Sequence, residues 1–294
     1  MKTIRVKELF LSVRDRLHAG GVDSSNLEAE WILSHVLQLD PIDRIRRPER
    51  IVKGEEMAAI DGLLARRLTG EPLAYILGEK EFFGLKFKVN SNVLIPRPET
   101  EHLVERAIEW VRDHYLRNET VDMLELGVGS GCITVTLLHL LPEVRATAID
   151  ISDGAIEVAF ENAKAYGVEN RIKFLRGDAA KCSQLLDGKR FDVVLANPPY
   201  IDEVDPRVEP GVKAYEPHIA LFSPGRGGVE IAARWIAELR NLVKSGRAAA
   251  GFEFGSNQAR MVEQLFYDSK VFTHHDIIQD YAGHDRLIWA EREG

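Results

Sequence analysis

Cysteine is nearly absent: Cys132 and Cys182 are the only two in 294 residues. They are too few and too isolated for a disulfide framework or a thiolate metal site, and they fit a reducing compartment. His274-His275 lacks the ligand spacing of a zinc site, so no metal is expected. Long apolar runs are missing as well. None approaches the ~18 residues that cross a bilayer, and Met1-Lys2-Thr3-Ile4-Arg5-Val6-Lys7 carries no signal-peptide core. The expectation is a cytoplasmic protein without membrane association. Positive charge is the third shortage: 38 Lys+Arg stand against 46 Asp+Glu, a net charge of −8. That balance weighs against stable nucleic-acid binding through phosphate contacts, leaving room only for a local basic patch. Internal repeats and low-complexity stretches are also lacking.

What is present is ordinary for a globular chain: 45% hydrophobic and 29% charged residues, enough to bury the core of one large domain or two. The charge is unevenly placed. Residues 1–72 hold 12 Lys+Arg and 12 Asp+Glu, so the whole acidic excess falls in 73–294, and this change of balance suggests two domains.

The first part reads as a small helical bundle. Val6, Leu9, Phe10, Val13 and Leu17 recur at helical spacing until Gly20-Gly21 stops them. Ser25 with Glu28 has the pattern of a capping box opening a second helix, with Leu27, Trp31, Val36 and Leu37 as its apolar face and Ile32 and Leu33 alongside. A third, from Glu55 to Leu68, offers Ile60, Leu63, Leu64 and Leu68. Between them the basic run from Arg44 to Arg50 reads as a solvated loop, with a docking surface as the alternative. Residues 73–95 then change character. Glu81-Phe82-Phe83 and Leu85 to Val89 flank Gly84 with partial alternation, which predicts a β-hairpin joining the domains.

From Val121 strands and helices alternate, as a doubly wound parallel sheet requires. Strands are expected over 121–126, 145–149, 172–176, 191–196, 248–254, 271–279 and 286–290, the last two close enough to make one strand antiparallel at that edge. Residues 201–228, with prolines 206, 210, 217 and 224, show no periodicity. A loop of that length beside a strand end suggests a substrate wall.

The chemistry gathers at the strand ends, where open α/β sheets bind ligands. Glu125-Leu126-Gly127-Val128-Gly129-Ser130-Gly131 joins the first strand to its helix. A dinucleotide fingerprint would need glycine at 132, where this chain has Cys132. A carboxylate two residues before Gly127 repels pyrophosphate but accepts hydrogen bonds from an ammonium, which favours an amino-acid-like ligand such as the methionyl part of S-adenosylmethionine. Asp150, ending the second strand, is placed to accept from ribose hydroxyls, and Asp178, after the third, from an adenine amino group. A lone strand-end Asp is commonly just a helix cap; acids and glycines at successive strand ends read as one site. Cys132, at a helix start with no activating neighbour in sequence, reads as structural.

Asn197-Pro198-Pro199-Tyr200 follows the buried strand 191–196. Asn197 precedes a proline, which aims its short side chain, and the prolines fix φ and offer carbonyls without N–H groups. The result is a rigid patch of acceptors beside an aromatic ring, suited to a planar group bearing an NH2.

Taken together, Glu71 to Glu79, Glu81-Phe82-Phe83-Gly84-Leu85, Ile95-Pro96-Arg97-Pro98-Glu99-Thr100-Glu101, the Gly127–Gly131 loop and Asn197-Pro198-Pro199-Tyr200-Ile201 closely resemble the HemK/PrmC family. Glu216-Pro217 and Ala282 to Arg286 resemble it too, and the likeness is thinnest over 1–70. The resemblance implies a Rossmann-like class I methyltransferase fold, a seven-stranded and mostly parallel sheet over 96–294, preceded by an N-terminal helical domain over 1–72 and a β-hairpin linker over 73–95. It implies methyl transfer from S-adenosylmethionine, leaving S-adenosylhomocysteine, to the glutamine side-chain amide in the Gly-Gly-Gln motif of class 1 peptide-chain release factors, with the helical domain helping to seat the substrate. Carried over by position, the cofactor falls to Glu125, Gly127, Val128, Gly129, Ser130, Gly131, Asp150, Asp178, Ala179 and Asn197, and the acceptor to Asn197, Pro198, Pro199 and Tyr200. Asn197, Pro198 and Tyr200 are the expected catalytic set. Ala179 stands where some members carry a large aromatic, and Glu125 and Val128 where many have Asp and Thr. A ribosomal-protein glutamine and an exocyclic amine of a nucleic-acid base are the rival acceptors.

Overall fold

The computed structural model describes residues 4–39, 41–116 and 118–293, so the opening Met1-Lys2-Thr3 lies outside the described residues. The chain forms two compact units: residues 1–78 with 209–215, and residues 79–208 with 216–294.

The first unit is built on α1 (Val6–Ala19), α2 (Ser25–Leu37) and α3 (Gly54–Leu68). Val6, Leu9, Val13 and Leu17 do form one buried face of α1, against Ile60 and Leu64 of α3 and Ile32 and Leu33 of α2. Two sequence expectations about α2 fail. Ser25 lies inside the helix rather than capping it; Ser24 is the N-cap, and its hydroxyl donates to Glu28 at 3.0 Å. The expected apolar face is also rotated, for Leu27 and Trp31 are 47% and 44% exposed while Ala29, Ile32, Leu33 and Leu37 are buried. The reason is visible at Glu28, which is turned inward to take a 2.6 Å bond from Arg67 of α3. A helix that must deliver this pair to its neighbour cannot also bury Leu27 and Trp31. The basic run is only partly a loop, since Pro41–Arg46 is a short helix. Arg50 is engaged by Glu56 at 2.6 Å and by the Leu37 carbonyl. Leu73–Leu77 is a further short helix of this unit, not part of a linker.

The second unit opens on the hairpin Glu79–Phe82 and Leu85–Lys88, paired antiparallel. Phe83 and Gly84 at its turn both have positive φ, 52° and 72°, the backbone of a two-residue turn whose twist matches the flanking strands. Its Phe82 and Phe87 are buried in the core of this unit.

The sheet has seven strands: β1 (Val121–Leu126), β2 (Val144–Asp150), β3 (Ile172–Arg176), β4 (Val193–Ala196), β5 (Ala248–Glu253), β6 (His274–Gln279) and β7 (Asp285–Arg292). Their spatial order is β6-β7-β5-β4-β1-β2-β3. The pairs among β1 to β5 are parallel, and β7 runs antiparallel to both β5 and β6. The antiparallel strand is therefore not at the edge. It inserts between β5 and β6, which puts apolar Leu287 to Ala290 inside the sheet and leaves the polar His274–Gln279 outermost, where an edge needs polarity.

Alternate residues feed two cores. Val193 and Leu195 face α4 (Glu101–His114), α5 (Cys132–Leu140) and the hairpin. Val194 and Ala196 face α6 (Glu230–Leu242) and α7 (Ala259–Ser269). Both faces are covered, as continuous apolar strands demand. The order of winding reverses between β1 and β4, whose carboxyl ends carry the glycine loop and the Asn-Pro-Pro-Tyr tetrad.

Gly251 in the middle of β5 marks how closely the layers pack. A Cβ there would lie 2.6 Å from Leu103 Cδ1 and 2.8 Å from the Trp289 ring. Gly251→Val should destabilise the second unit by about 1–3 kcal/mol, the usual cost of overpacking. Denaturant unfolding followed by tryptophan fluorescence would measure it, and an unchanged midpoint would contradict this packing.

Candidate active site

The glycine loop owes its spacing to its backbone. Gly127, Gly129 and Gly131 all have positive φ, 75°, 52° and 78°, a conformation that costs any residue with a Cβ. At Gly127 a side chain would also strike Trp235 Cη2, 2.8 Å from the ideal Cβ position. Gly131 is the N-cap of α5, which begins at Cys132. The left-handed alternation ends there, so no glycine is required at 132. Burial, with Glu125 nearby, pushes the Cys132 thiol up to about 12, which keeps it protonated and unreactive.

A cavity of about 280 Å³ lies at these strand ends in the second unit. Glu125, Gly127, Val128, Gly129 and Ser130 border it from β1 and its loop. Asp150, Asp178 and Ala179 border it from the ends of β2 and β3, and Asn197 and Pro199 from the end of β4. Gly131, Pro198 and Tyr200 do not line it. Pro198 is buried; Tyr200 is turned to Glu253, its hydroxyl 3.2 Å from Oε1. The Tyr200 backbone is clamped too, its carbonyl accepting from Gln258 Nε2 at 2.7 Å.

Each acid has a defined environment. Glu125 is buried, its Oε2 accepting from the Thr134 backbone N–H at 3.1 Å and from the Thr134 hydroxyl. Burial raises its pKa to about 8, with Asp150 adding to the rise and Thr134 opposing it. Asp150 accepts from the Gly129 and Ser152 N–H groups, both at 2.9 Å; burial raises its pKa as well, against the lowering by these bonds. It therefore shapes the glycine loop besides facing the cavity. Asp178 caps the 3-10 turn Ala179–Gln184, accepting from Ala180 N–H at 2.9 Å. The cap reading of Asp178 and the cavity reading hold together.

Other walls carry no site assignment from the sequence, although Pro96, Arg97 and Thr100 lie in the family-like run 95–101 and Ile219 and Ala220 in the 201–228 loop expected to form a wall. Asn92, Val93, Leu94, Pro96, Arg97 and Thr100 line the cavity, as do Ile219 and Ala220, Ile231, Arg234 and Trp235. Residues 201–228 are more ordered than their composition suggested: Ile201–Asp202 pairs in parallel with Phe222–Ser223, and Pro210–Tyr215 and His218–Leu221 are short helices. Glu216 explains part of that order. Its buried carboxylate accepts from Ile95 N–H at 3.1 Å and Arg97 at 2.5 Å, tying two walls of the cavity. Asn162 ties two more elements: its Nδ2 donates to the carbonyls of Ser130 and Lys88 and its Oδ1 accepts from Lys88 N–H. Glu216-Pro217 was visible as a family-like dipeptide; Asn162 gave no signal. Among the described residues no group of His, Cys, Asp and Glu could hold a metal ion, and no helix is long and apolar enough to cross a membrane.

Comparison with known proteins follows the same division. The family model described as PrmC N-terminal domain matches residues 8–78, and one described as Methyltransferase domain matches 123–209. The release factor glutamine methyltransferase of Nitratidesulfovibrio vulgaris is 42% identical over 97% of this chain and 94% of its own length. That of Vibrio cholerae is 36% identical over 98% of this chain and 97% of its own. Among solved structures, the release-factor-specific protein-(glutamine-N5) methyltransferase of Alicyclobacillus acidocaldarius matches with 26% identity and a TM-score of 0.43, over 71% of this chain and 100% of that one.

The Glu125 carboxyl titrates near 8 in the folded protein and 4.5 is its ordinary value, so its burial favours folding fully below 4.5 and that contribution is lost as pH rises through 8. Glu125→Gln, which cannot ionise, should gain thermal stability over the wild type progressively across this interval in the ligand-free protein. A difference in melting temperature that does not change with pH would refute the assignment.

Proposed function

Since the chain belongs to the release factor glutamine methyltransferase family, we propose that its cavity carries methyl transfer to the glutamine side-chain amide in the Gly-Gly-Gln motif of class 1 release factors. The enzyme is an S-adenosylmethionine-dependent protein-glutamine N-methyltransferase. The observation that carries the acceptor reading is that Asn197, at the end of β4, opens onto the same cavity as the glycine loop at the end of β1.

The residues suit the methyl donor. Glu125, Asp150 and Asp178 set three carboxyl groups on the cavity wall, appropriate to a ligand carrying an ammonium and a sulfonium. Gly127 and Gly129 bring backbone to its surface without side chains. In this reading Glu125 accepts from the amino group, Asp150 from the ribose hydroxyls, and Asp178 with Ala179 borders the adenine. When bound, S-adenosylmethionine supplies an electrophilic methyl group.

The amide nitrogen of glutamine is a poor nucleophile because its lone pair is delocalised into the carbonyl, the resonance that keeps peptide units planar. The protein's task is to orient it. The Asn197 Oδ1 and the carbonyl of Pro198, which lies beside the cavity wall rather than in it, accept its two in-plane N–H bonds, which fixes the amide plane and leaves the lone pair, perpendicular to that plane, toward the methyl group. Pro199 and Tyr200 keep the tetrad rigid around this pair of acceptors. Transfer would form the N–C bond as the methyl–sulfur bond of the donor breaks, leaving S-adenosylhomocysteine, and the amide proton would pass afterwards to water, so no strong base is needed from the protein. Positioning of this kind supplies up to ~7–11 kcal/mol. The helical unit, matched by the PrmC N-terminal model, takes the role of seating the release factor. The cytoplasm is the proposed setting, one that suits the free Cys132 and Cys182.

Labelled S-adenosylmethionine should mark a class 1 release factor, and marking should vanish when the Gly-Gly-Gln glutamine is replaced. Label that survives the replacement, or that appears instead on a ribosomal protein or on nucleic acid, would overturn the acceptor. Asn197→Ala should lower the rate at saturating substrate at least ~100-fold, as loss of one preorganised polar contact does, with cofactor affinity held within a few-fold. Asp150→Ala should do the reverse, weakening cofactor binding in calorimetry; unchanged affinity would remove it from the site.

A further inference from the structure

Behind the tetrad lies a chain of hydrogen bonds that none of the roles above uses. Asn197 Nδ2 donates to Thr100 Oγ1 at 3.1 Å, and the Thr100 hydroxyl donates to Glu253 Oε2 at 2.6 Å. Tyr200 hydroxyl donates to the other oxygen, Oε1, at 3.2 Å. Thr100 is 2% and Glu253 2% exposed. Thr100 stands at the N-cap of α4, where threonine ordinarily accepts from the helix's own N–H groups, yet it makes no capping bond. Its hydroxyl is spent on Glu253 instead, a local rule broken beside a functional site.

The consequence follows from counting protons. A carboxylate only accepts, and a threonine hydroxyl has one proton to give. With that proton on Glu253, Thr100 has only lone pairs left for Asn197, so Asn197 must turn its NH2 toward Thr100. Its Oδ1 is then the atom left to face the cavity that Asn197 lines. A protonated Glu253 can donate to Thr100, which frees the Thr100 proton for Asn197 Oδ1 and reverses the amide, presenting a donor where the acceptor glutamine also offers donors.

We propose that Glu253, acting through Thr100, is a positioning residue that sets which end of the Asn197 amide meets the glutamine NH2, while its second oxygen holds Tyr200. The proposal rests on the reading of Asn197 as an acceptor for the substrate amide. Glu253 sits at the end of β5, and the ionisable groups that face it are Glu99, Tyr200, Cys132 and Arg286. Burial raises its pKa to about 7, the Thr100 and Tyr200 bonds and Arg286 lower it, and Glu99 raises it. The switch between the two amide orientations therefore falls in the neutral range, with the productive one on the alkaline side.

The test uses the full chain with S-adenosylmethionine and a class 1 release factor. Thr100→Val, which keeps shape and removes the hydroxyl, should lower kcat roughly 100-fold, with cofactor affinity and the KM for release factor held within about threefold, the split expected of a contact that acts on the transition state. Thr100→Ser, which restores the hydroxyl, should recover kcat. Wild-type kcat should fall below pH 7 on a single ionisation, and Glu253→Gln should have a low kcat without that acidic limb. Full kcat in Thr100→Val, equal losses in Thr100→Val and Thr100→Ser, or an unchanged acidic limb in Glu253→Gln would each overturn the positioning role. A wild type that does not methylate the release factor would overturn the functional reading itself, and is seen before any variant is made.

Discussion

Burying a carboxylate whose direct partners are hydroxyls and a backbone N–H rather than a cation is expensive, and this chain does it twice, at the carboxyl ends of β1 and β5 in one sheet. Glu125 leans on Thr134, and Glu253 on Thr100 and Tyr200. Each arrangement fixes more than the acid. Thr134 is the third residue of α5, so Glu125 locks the start of that helix to the end of β1. Glu253 locks the start of α4 and the tetrad to the end of β5. The elements that border the cavity are thereby fastened to one another through two acids that the solvent does not reach.

Most of the sheet was legible because strands buried on both faces read as uninterrupted apolar runs, and each ends at an acid, glycine or proline that stops the pattern. The position of β7 was not. Sequence neighbours predict a hairpin, but whether its second strand lies outside or inside the first depends on which of the two better tolerates an edge, and that is settled by Leu287 to Ala290 finding both cores. The face of α2 was misread for a similar reason. Periodicity ranks Leu27 and Trp31 as core because they are large, and it cannot foresee that Glu28 is drawn inward by Arg67.

The site divides along the same line. Glycines with positive φ and acids at strand ends leave local signatures, so this wall of the cavity could be read from residues a few positions apart. Glu253 leaves none, and Thr100 and Glu216 show only as members of family-like motifs with no sign of what they hold, because each works through a partner far away in the chain: Glu253 through Thr100, and Glu216 through Ile95 and Arg97. Thr100 even resembles a routine helix cap. Gln258, buried beneath the tetrad, is of the same kind. What sequence patterns miss here is the layer that orients the visible residues.

Asn162 bears on how such a chain can be recombined. Its amide bonds at once to Ser130 in the glycine loop and to Lys88 in the hairpin, so the hairpin is fastened by the same side chain that steadies the loop. Evolution can exchange the helical unit for another only at a seam that leaves these bonds whole. A crossover before Glu79 keeps them. One placed at the first strand of the sheet would strip a buried amide of two partners, at about 1–3 kcal/mol for each group orphaned, and would spend that loss directly on the wall of the cavity. The hairpin thus travels with the catalytic half as heritable equipment, although in sequence it reads as the link between the halves.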